Sequence, residues 1–338
     1  GLEMADNLHH LGIEVHVVEM ADQVMAPLDY SMAAAVHCHL KAQGIRLHLS
    51  NGVSRFSEAD GRVGVHLNDG TTLTADLVVL SIGVRPETRL AREAGLELGQ
   101  TGGIRVNAHL QTSDPDIYAL GDAVEVTHLV TGRPALIPLA GPANKQARIV
   151  ADNIVTGNSR TYAGSLGTSV ARICEMTVAA TGANAKLLRR EGIPYVSSWT
   201  HGSSHAGYYP GAAPLSLKII FSPADGRLLG AQVIGTEGVD KRIEMLEQTI
   251  QRRGTVYDLM ELEHAYAPPY ASAKDPVNMA GFVADNILSG RVRIITWRDT
   301  LLTDSEAIRL DVRTAEEYAT GSIPGFRNIP VDELREHL

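Results

Sequence analysis

The chain has 338 residues, 44% hydrophobic and 20% charged, and this composition suffices for two or three globular domains. Its net charge of −9 excludes a broad basic surface, so we expect no nucleic-acid partner and no anionic membrane partner. Apolar runs such as 77–80 are far shorter than the roughly 20 residues that cross a bilayer, so no transmembrane segment is predicted.

The first 83 residues alternate helices with strands, which predicts βαβ architecture. Apolar residues at helical spacing up to Gly12 predict a first helix, and residues 14–19 predict a strand. A helix over about 29–43 and a strand over 45–49 follow, and then Asn-Asp-Gly at 68–70 predicts a hairpin. Residues 75–83 are predicted to form a central parallel strand.

The pattern of predicted helices and strands changes twice further along the chain. Residues 84–160 contain a short predicted helix near 88–94, a strand at 117–120 and a longer helix over 141–155. Residues 161–290 predict an α+β domain on an antiparallel sheet, with strands at 170–181 and 195–201, a hairpin of 215–221 with 228–234, and helices at about 237–253 and 277–288. A further strand is predicted at 307–312.

Three strand ends carry candidate ligand-binding residues. Gly1 before the first helix and Glu19 after the first strand fit the last glycine and the ribose-binding acid of a dinucleotide fold, although Glu19 could also be a polar strand end. Gly83 allows close approach of a ligand, or marks a simple domain crossover. Asp122 after Gly121 could accept a hydrogen bond from a sugar hydroxyl, or cap the next turn.

These sites, in this order, resemble the FAD- and NAD(P)-dependent disulfide reductase family over about residues 1–290. Residues 137–148 (IPLAGPANKQAR) and 266–278 (YAPPYASAKDPVN) resemble its coenzyme A disulfide reductase and NADH oxidase branch. The His-Pro pair of the dithiol reductases is absent from this place. The resemblance implies an enzyme that uses NAD(P)H and FAD to reduce coenzyme A disulfide or persulfide through one redox cysteine, which is expected upstream of this fragment. The alternatives are an NADH oxidase of the same branch, or an inactive dimerising fragment.

The resemblance also implies roles for single residues. Asp122 would bind the flavin ribitol, the backbone of Leu139 and Ala140 would face the isoalloxazine ring, and Glu3 would lie by the nicotinamide. Glu19 would hold the adenine ribose, and its charge favours NADH because it would repel a 2′-phosphate. Other implied positions are Gly1, Gly83 and Gly121 at the cofactors, Tyr266 at the flavin site of the partner subunit in a homodimer, Lys274 and Asn144 at the coenzyme A substrate, and Tyr208 either near the active site or in interface packing.

Residues 310–313, 316–318, 321–325 and 328–330 resemble the opening of a rhodanese domain, with Ser322 in place of the usual His. The alternative is a strand and turn of an unrelated domain. The chain carries two cysteines, Cys38 and Cys174, which we expect to be buried and structural rather than redox-active, and this usage fits a reducing cytoplasm. No metal site is expected.

The predicted fold class is α/β: Rossmann-like FAD- and NAD(P)-binding domains, both incomplete, then an α+β dimerisation domain and the start of a rhodanese-like α/β domain. The expected domains are an NAD(P)-binding domain at 1–83, the C-terminal part of an FAD-binding domain at 84–160, the dimerisation domain at 161–290 and the rhodanese-like domain at 295–338. We expect both ends to be truncated, because there is no initiator Met and residues 332–338 stop within helix-like sequence.

Overall fold

The computed structural model describes residues 1–296 and 308–337. They belong to two compact units, Gly1–Ser289 and Gly290–Leu338. Among the helices of these described residues, none combines the length and the apolar character that crossing a membrane requires.

The start of the first unit has the predicted order of helices and strands. Helix α1 (Leu2–His10) leads to strand β1 (His16–Val18), helix α2 (Tyr30–Ala42) and strand β2 (Arg46–His48). The two strands pair in parallel and are shorter than predicted. Gly12 follows α1 with φ at +81°, a conformation that suits glycine, so the predicted helix end is confirmed.

A three-stranded antiparallel sheet follows, formed by β3 (Val53–Ala59), β4 (Arg62–Leu67) and β5 (Thr72–Ala75). Gly70 lies in the turn between β4 and β5 with φ at +89°, so the predicted hairpin is confirmed. Strand β3 was not predicted.

The predicted central strand at 75–83 is wrong for this structure. Beyond β5, which ends at Ala75, these residues form no regular element. The side chains of Leu77, Leu80 and Ile82 are 68%, 65% and 90% exposed. The parallel sheet of β1 and β2 has only these two strands in the described residues, so the apolar segment has no ladder to join.

The middle of the first unit holds short elements and one long helix. Helix α4 (Ala140–Thr156) confirms the predicted long helix, and Gly157 ends it in the left-handed conformation. The predicted strand at 117–120 is wrong, because its only pairing is an isolated bridge between Gln111 and Tyr118. The elements are α3 (Arg89–Glu93), β6 (Ile104–Arg105), a 3₁₀ turn (Gly121–Ala123), β7 (Val124–Thr127), β8 (Pro134–Ala135) and α4 (Ala140–Thr156).

The last part of the unit is an antiparallel sheet of five strands, as predicted for an α+β domain. The stretch predicted as one strand at 170–181 is two strands, with Cys174 in the turn between them at φ +53°. The elements are β9 (Ser169–Ile173), β10 (Met176–Gly182), α5 (Ala185–Arg190), β11 (Val196–Ser203), β12 (Pro214–Phe221), β13 (Leu228–Gly235), α6 (Val239–Gln251), α7 (Val256–Glu261) and α8 (Pro276–Leu288). Helices α5 and α7 were not predicted.

This sheet is buried on both faces, with strand order β11-β12-β13-β10-β9. On one face, residues such as Leu217 and Val233 pack against α6, α7 and α8. On the other face, Val178 and Ile234 share a core with Met32 of α2. Burial of both faces explains why every residue of β13 is buried. The nucleotide-binding part and the sheet are therefore packed together.

In the second unit, β14 (Leu310–Asp311) and β15 (Arg327–Asn328) pair in parallel, with α9 (Ala315–Ala319) between them along the chain. Arg313 donates hydrogen bonds to the Asp311 carboxylate, with an Nη2 to Oδ2 distance of 2.6 Å, and to the backbone of Gly321. The strand predicted at 307–312 is confirmed at 310–311, while Ala307 lies outside the described residues.

Candidate cofactor and substrate site

The structure brings the first two candidate strand-end sites together. A Cβ added to Gly1 would lie 3.4 Å from the Cβ of Ser81, so the start of α1 lies beside the segment that holds Gly83. No side chain caps α1, which leaves backbone N–H groups of its first turn available to an anion such as a phosphate. Gly83 has φ at +91° and open space where a side chain would be, and Glu3 is exposed in the first turn of α1.

Glu19 lies directly after β1, where its N–H donates to the backbone of His48 at 2.9 Å. Its carboxylate Oε1 accepts a hydrogen bond from the N–H of Ala21 at 2.9 Å. One oxygen is therefore used by a local turn, as the polar strand-end interpretation expects. The other oxygen remains for a ligand hydroxyl, so the two interpretations are compatible.

Asp122 lies in a 3₁₀ turn that is anchored to α4. The N–H of Gly121 donates to Oε1 of Gln146, a buried residue of α4, at 2.7 Å. Gly121 has φ at +81°, and the Asp122 side chain is exposed and caps no turn here. The same helix begins at Ala140 after Leu139, again without a side-chain cap. Exposed carboxylates, open glycines and uncapped helix starts are the groups that nucleotide cofactors such as FAD and NAD(P)H need.

Two tyrosines that are 58 positions apart in the sequence meet through their hydroxyls. The Tyr208 and Tyr266 oxygens are 3.1 Å apart, and the two residues are 77% and 47% exposed. The hydrogen bond that the Tyr266 hydroxyl donates to Tyr208 is the main reason why the pKa of Tyr266 lies above its usual value. Tyr266 therefore stays protonated at neutral pH, and the pair offers an exposed O–H donor.

The two residues expected at the substrate are also on the surface. Lys274 is exposed, and it precedes Asp275, the N-cap of α8. Asn144 is exposed on α4 and donates from Nδ2 to the backbone of Ala140 at 2.9 Å. In the described residues no hydrogen bond joins the tyrosine pair to Asp122 or Glu19, so the candidate residues form separate groups within this chain.

The prediction that both cysteines are buried is wrong for Cys38, which is exposed on α2, while Cys174 is half-buried. Cys38 is exposed because α2 buries a different side, which includes Met32, Val36 and Leu40. Burial and the neighbouring Asp6 raise the pKa of Cys174 to about 11. A thiol with so high a pKa is a poor redox nucleophile at neutral pH.

We expect Cys38 to be alkylated before Cys174. At about pH 8 only about one Cys174 in a thousand carries a thiolate, because its pKa is about 11. Iodoacetamide labelling followed by peptide mass spectrometry measures both rates. Asp6→Asn should accelerate labelling of Cys174 and leave the rate at Cys38 unchanged. Equal rates at the two cysteines would contradict the expectation.

Two buried ion pairs were missed by sequence reasoning. Lys218 of β12 lies 2.8 Å from Asp29, the N-cap of α2, and Arg242 of α6 lies 2.7 Å from Asp275. A signal for the second was present, because Arg242 falls between Val239 and Leu246 on the apolar side of α6. A charged residue on the apolar side of a helix needs a buried partner, so the sequence could have predicted a buried ion pair at Arg242.

The chain is similar to known proteins along most of its length. Residues 1–143 match the pyridine nucleotide-disulphide oxidoreductase family, and residues 168–276 match the dimerisation domain of that family. It is 35% identical over 292 residues to the NADH oxidase of Methanocaldococcus jannaschii, covering 86% of this chain and 64% of that protein. It is 31% identical over 283 residues to the coenzyme A disulfide reductase of Staphylococcus epidermidis, covering 84% of this chain and 63% of that protein.

Solved structures agree with these relatives. The chain is similar to reduced CoADR-RHD of Bacillus anthracis, with 47% identity and a TM-score of 0.94 over 99% of this chain and 60% of that one. The chain is 37% identical to the NAD-dependent persulfide reductase of A. fulgidus, with a TM-score of 0.92. The match covers 100% of this chain and 61% of that one. The chain is 34% identical to an FAD-dependent pyridine nucleotide-disulphide oxidoreductase of Desulfovibrio vulgaris, with a TM-score of 0.72. The match covers 85% of this chain and 68% of that one.

The chain therefore belongs to the pyridine nucleotide-disulphide oxidoreductase family. The predicted fold class is confirmed in its nucleotide-binding and dimerisation parts, and so is the resemblance to the coenzyme A disulfide reductase and NADH oxidase branch. The chain spans less than two thirds of the length of the curated relatives described above.

Proposed function

We propose that this chain is part of a flavoprotein that uses NAD(P)H and FAD to reduce coenzyme A disulfide or coenzyme A persulfide. The observation that carries the proposal is the exposed tyrosine pair, Tyr208 and Tyr266, with hydroxyls 3.1 Å apart. An O–H donor held at a surface can stabilise a thiolate as it leaves a disulfide. Similarity to a coenzyme A disulfide reductase and a persulfide reductase supports this substrate class.

The residues proposed for FAD lie around the start of α4. The exposed carboxylate of Asp122 would accept a hydrogen bond from a ribitol hydroxyl, and Gly121 keeps that approach open. The uncapped backbone at Leu139 and Ala140 would face the ring system. When bound, FAD accepts a hydride from NAD(P)H and passes the electrons to a disulfide.

The residues proposed for NAD(P)H lie around the start of α1. The free N–H groups after Gly1 would bind the pyrophosphate, and Gly83 leaves room beside them. Glu3 would lie by the nicotinamide, and the free carboxylate oxygen of Glu19 would accept from the adenine ribose. The charge of Glu19 favours NADH over NADPH.

In the full-length protein, Glu19→Ala is expected to lower the KM for NADPH about fivefold or more, because it removes repulsion worth roughly 1 kcal/mol between the carboxylate and the 2′-phosphate. The KM for NADH should rise, since one hydrogen bond is lost. Steady-state kinetics with both nucleotides measures the change. Glu58→Ala on the exposed strand β3 removes the same charge away from this site and should change neither KM. An equal effect of both substitutions would show that net charge alone is responsible.

The residues proposed for the substrate are Tyr208, Tyr266, Lys274 and Asn144. The exposed ammonium of Lys274 suits the phosphates of coenzyme A, and Asn144 offers an amide close to α4. The redox cysteine is neither Cys174, whose raised pKa opposes thiolate formation, nor Cys38, which is in the middle of α2. We propose that it belongs to a segment outside this sequence.

The assembly and the remaining domains are part of the same proposal. The match to a dimerisation domain supports a homodimer in which Tyr266 reaches the flavin site of the partner subunit. The proposed domains remain 1–83, 84–160, 161–290 and 295–338, the last being rhodanese-like because of the Asp311–Arg313 pair and the similarity to CoADR-RHD. A cytoplasmic location fits two cysteines that form no disulfide with each other.

The test compares three electron acceptors with the full-length, flavin-loaded protein. NADH oxidation is followed with coenzyme A disulfide, with coenzyme A persulfide, and in air-saturated buffer alone. Fast turnover with either sulfur substrate and slow oxygen uptake is the expected result. Fast oxygen uptake that sulfur substrates do not accelerate would establish the alternative, an NADH oxidase, which the similarity to the M. jannaschii protein favours. The 338-residue chain is tested by itself as well. If it purifies without bound flavin and shows no activity, it is the inactive dimerising fragment.

A further inference from the structure

The two tyrosines that carry the proposed function lie on two loops. Tyr208 lies in the loop between Ser203, the end of β11, and Pro214, the start of β12. Tyr266 lies in the loop between Glu261, the end of α7, and Pro276, the start of α8. Neither loop contains a helix or strand, so other contacts must fix the distance between the two hydroxyls.

A buried ion pair joins the bases of these loops. Arg242 of α6 and Asp275 are 1% and 0% exposed. The guanidinium donates to the Asp275 carboxylate at 2.7 Å and 3.3 Å, and its Nη2 also donates to the backbone oxygen of Ser204 at 2.8 Å. Ser204 is the first residue of one loop, and Asp275 is the last residue of the other. One planar side chain therefore holds both.

Backbone hydrogen bonds continue the connection towards the tyrosines. The N–H of Ala206 donates to the oxygen of Ala271 at 3.0 Å and is within 3.3 Å of the oxygen of Pro268. His205 is buried, and its ring contacts that of Tyr209 edge to face at 5.8 Å. The two loops thus form one body, with Arg242 at its base and the tyrosine hydroxyls at its surface.

A buried ion pair is a poor device for stability alone, because desolvation of the two charges offsets most of their attraction. Its geometry is more informative. The fork of the guanidinium fixes the direction of two acceptors at once, which a lysine or an apolar residue cannot do. Asp275 is further fixed by the N–H of Val277 in the first turn of α8.

We propose that Arg242 and Asp275 are positioning residues, which hold the Tyr208 loop and the Tyr266 loop in register so that the two hydroxyls form one donor site for the substrate. The inference rests on the proposed function for its catalytic consequence. The positioning itself is measurable without any turnover.

The experiment uses the full-length protein with 3-fluorotyrosine at position 266 and follows its ¹⁹F resonance as the pH rises. The variant carries both Arg242→Met and Asp275→Asn, so that no unpaired charge is buried and Asn still caps α8. Loss of the hydrogen bond that Tyr266 donates to Tyr208, the main cause of the raised pKa of Tyr266, should move the titration midpoint to lower pH. The same label at Tyr257, an exposed residue of α7, is the control and should titrate unchanged.

Measurement of kcat is the second part of the test. We expect kcat with the coenzyme A substrate to fall about tenfold in the double variant, and adding Tyr266→Phe to lower it only to the level of Tyr266→Phe alone, because residues that act through one another are not additive. Arg242→Lys keeps the positive charge but loses the planar guanidinium, so it should move the titration midpoint of Tyr266 in the same direction. It replaces the double variant if that variant does not fold. An unchanged midpoint in the variants that fold overturns the positioning role. A shifted midpoint with full activity of Tyr266→Phe keeps the positioning role and rejects the proposed function of the pair.

Discussion

Lys218→Met is expected to lower the free energy of unfolding by about 3–5 kcal/mol, because it leaves the buried Asp29 carboxylate without its counter-charge. Asp29 accepts from Nζ of Lys218 and from Nε2 of Gln232, both at 2.8 Å, and from the N–H of Ala185 at 3.0 Å. Lys218 lies 4.8 Å from the ring centre of Trp199. Burial lowers the pKa of Lys218, and Asp29 opposes that shift. Urea denaturation of the chain measures the loss.

Two variants separate this cause from others. Adding Asp29→Asn to Lys218→Met removes both charges and should recover most of the loss, since the Asn amide oxygen can accept from Gln232 and from the N–H of Ala185. Arg62→Met breaks an exposed ion pair with Asp76 at 2.9 Å and should cost no more than about 1 kcal/mol. A loss of that small size for Lys218→Met would mean that water reaches Asp29 easily. The outcome matters beyond stability, because this cluster connects the nucleotide-binding part to the sheet of the dimerisation domain.

Tyr266→Phe in the full-length enzyme is expected to lower kcat for coenzyme A disulfide or persulfide by about 10²-fold, the range typical for loss of a proton donor. Its hydroxyl stays protonated, because donating a hydrogen bond to Tyr208 raises the pKa of Tyr266. Reduction of the flavin by NADH should proceed at the wild-type rate, since that step does not use this hydroxyl. Stopped-flow measurement of the two half-reactions separates them.

The pH profile gives a second check on the same pair. If the protonated hydroxyl is required, activity falls as the pH rises through the pKa of Tyr266. Tyr208→Phe removes the main cause of the upward shift, so the alkaline limb should move to lower pH. Tyr257→Phe is the matched control, because Tyr257 is 46% exposed against 47% for Tyr266 and lies on α7, outside the Tyr266 loop. A kcat that falls equally in Tyr257→Phe and Tyr266→Phe would contradict the assigned role.

Elements whose signals are local were predicted well. The Asn-Asp-Gly turn at 68–70 fixes the β4–β5 hairpin through the left-handed Gly70, and Gly12 ends α1 for the same reason. Helix α8 begins at Pro276 after Asp275, where Asp275 and Asn278 form a reciprocal capping box. In each case residues within a few positions carry the whole signal.

Errors arose where the outcome depends on distant partners. Residues 75–83 have the composition of a buried strand, yet they form one only when neighbouring strands supply a ladder. Cys38 was expected to be buried because it lies within a helix and free cysteine is usually buried, but the side of a helix that is buried depends on what packs against it.

The sequence by itself determined the α/β class, the family, the order of the elements and the candidate residues at strand ends. These could be predicted because glycine turns, helical spacing and short motifs each depend on residues that are close together in the sequence. Only the tertiary structure decided that Tyr208 meets Tyr266 and that Lys218 and Arg242 are buried against Asp29 and Asp275. Those partners are separated by 33 or more positions, and no local pattern specifies which charge neutralises which. Packing brings them together, and the high cost of an unpaired buried charge then makes the pairing specific.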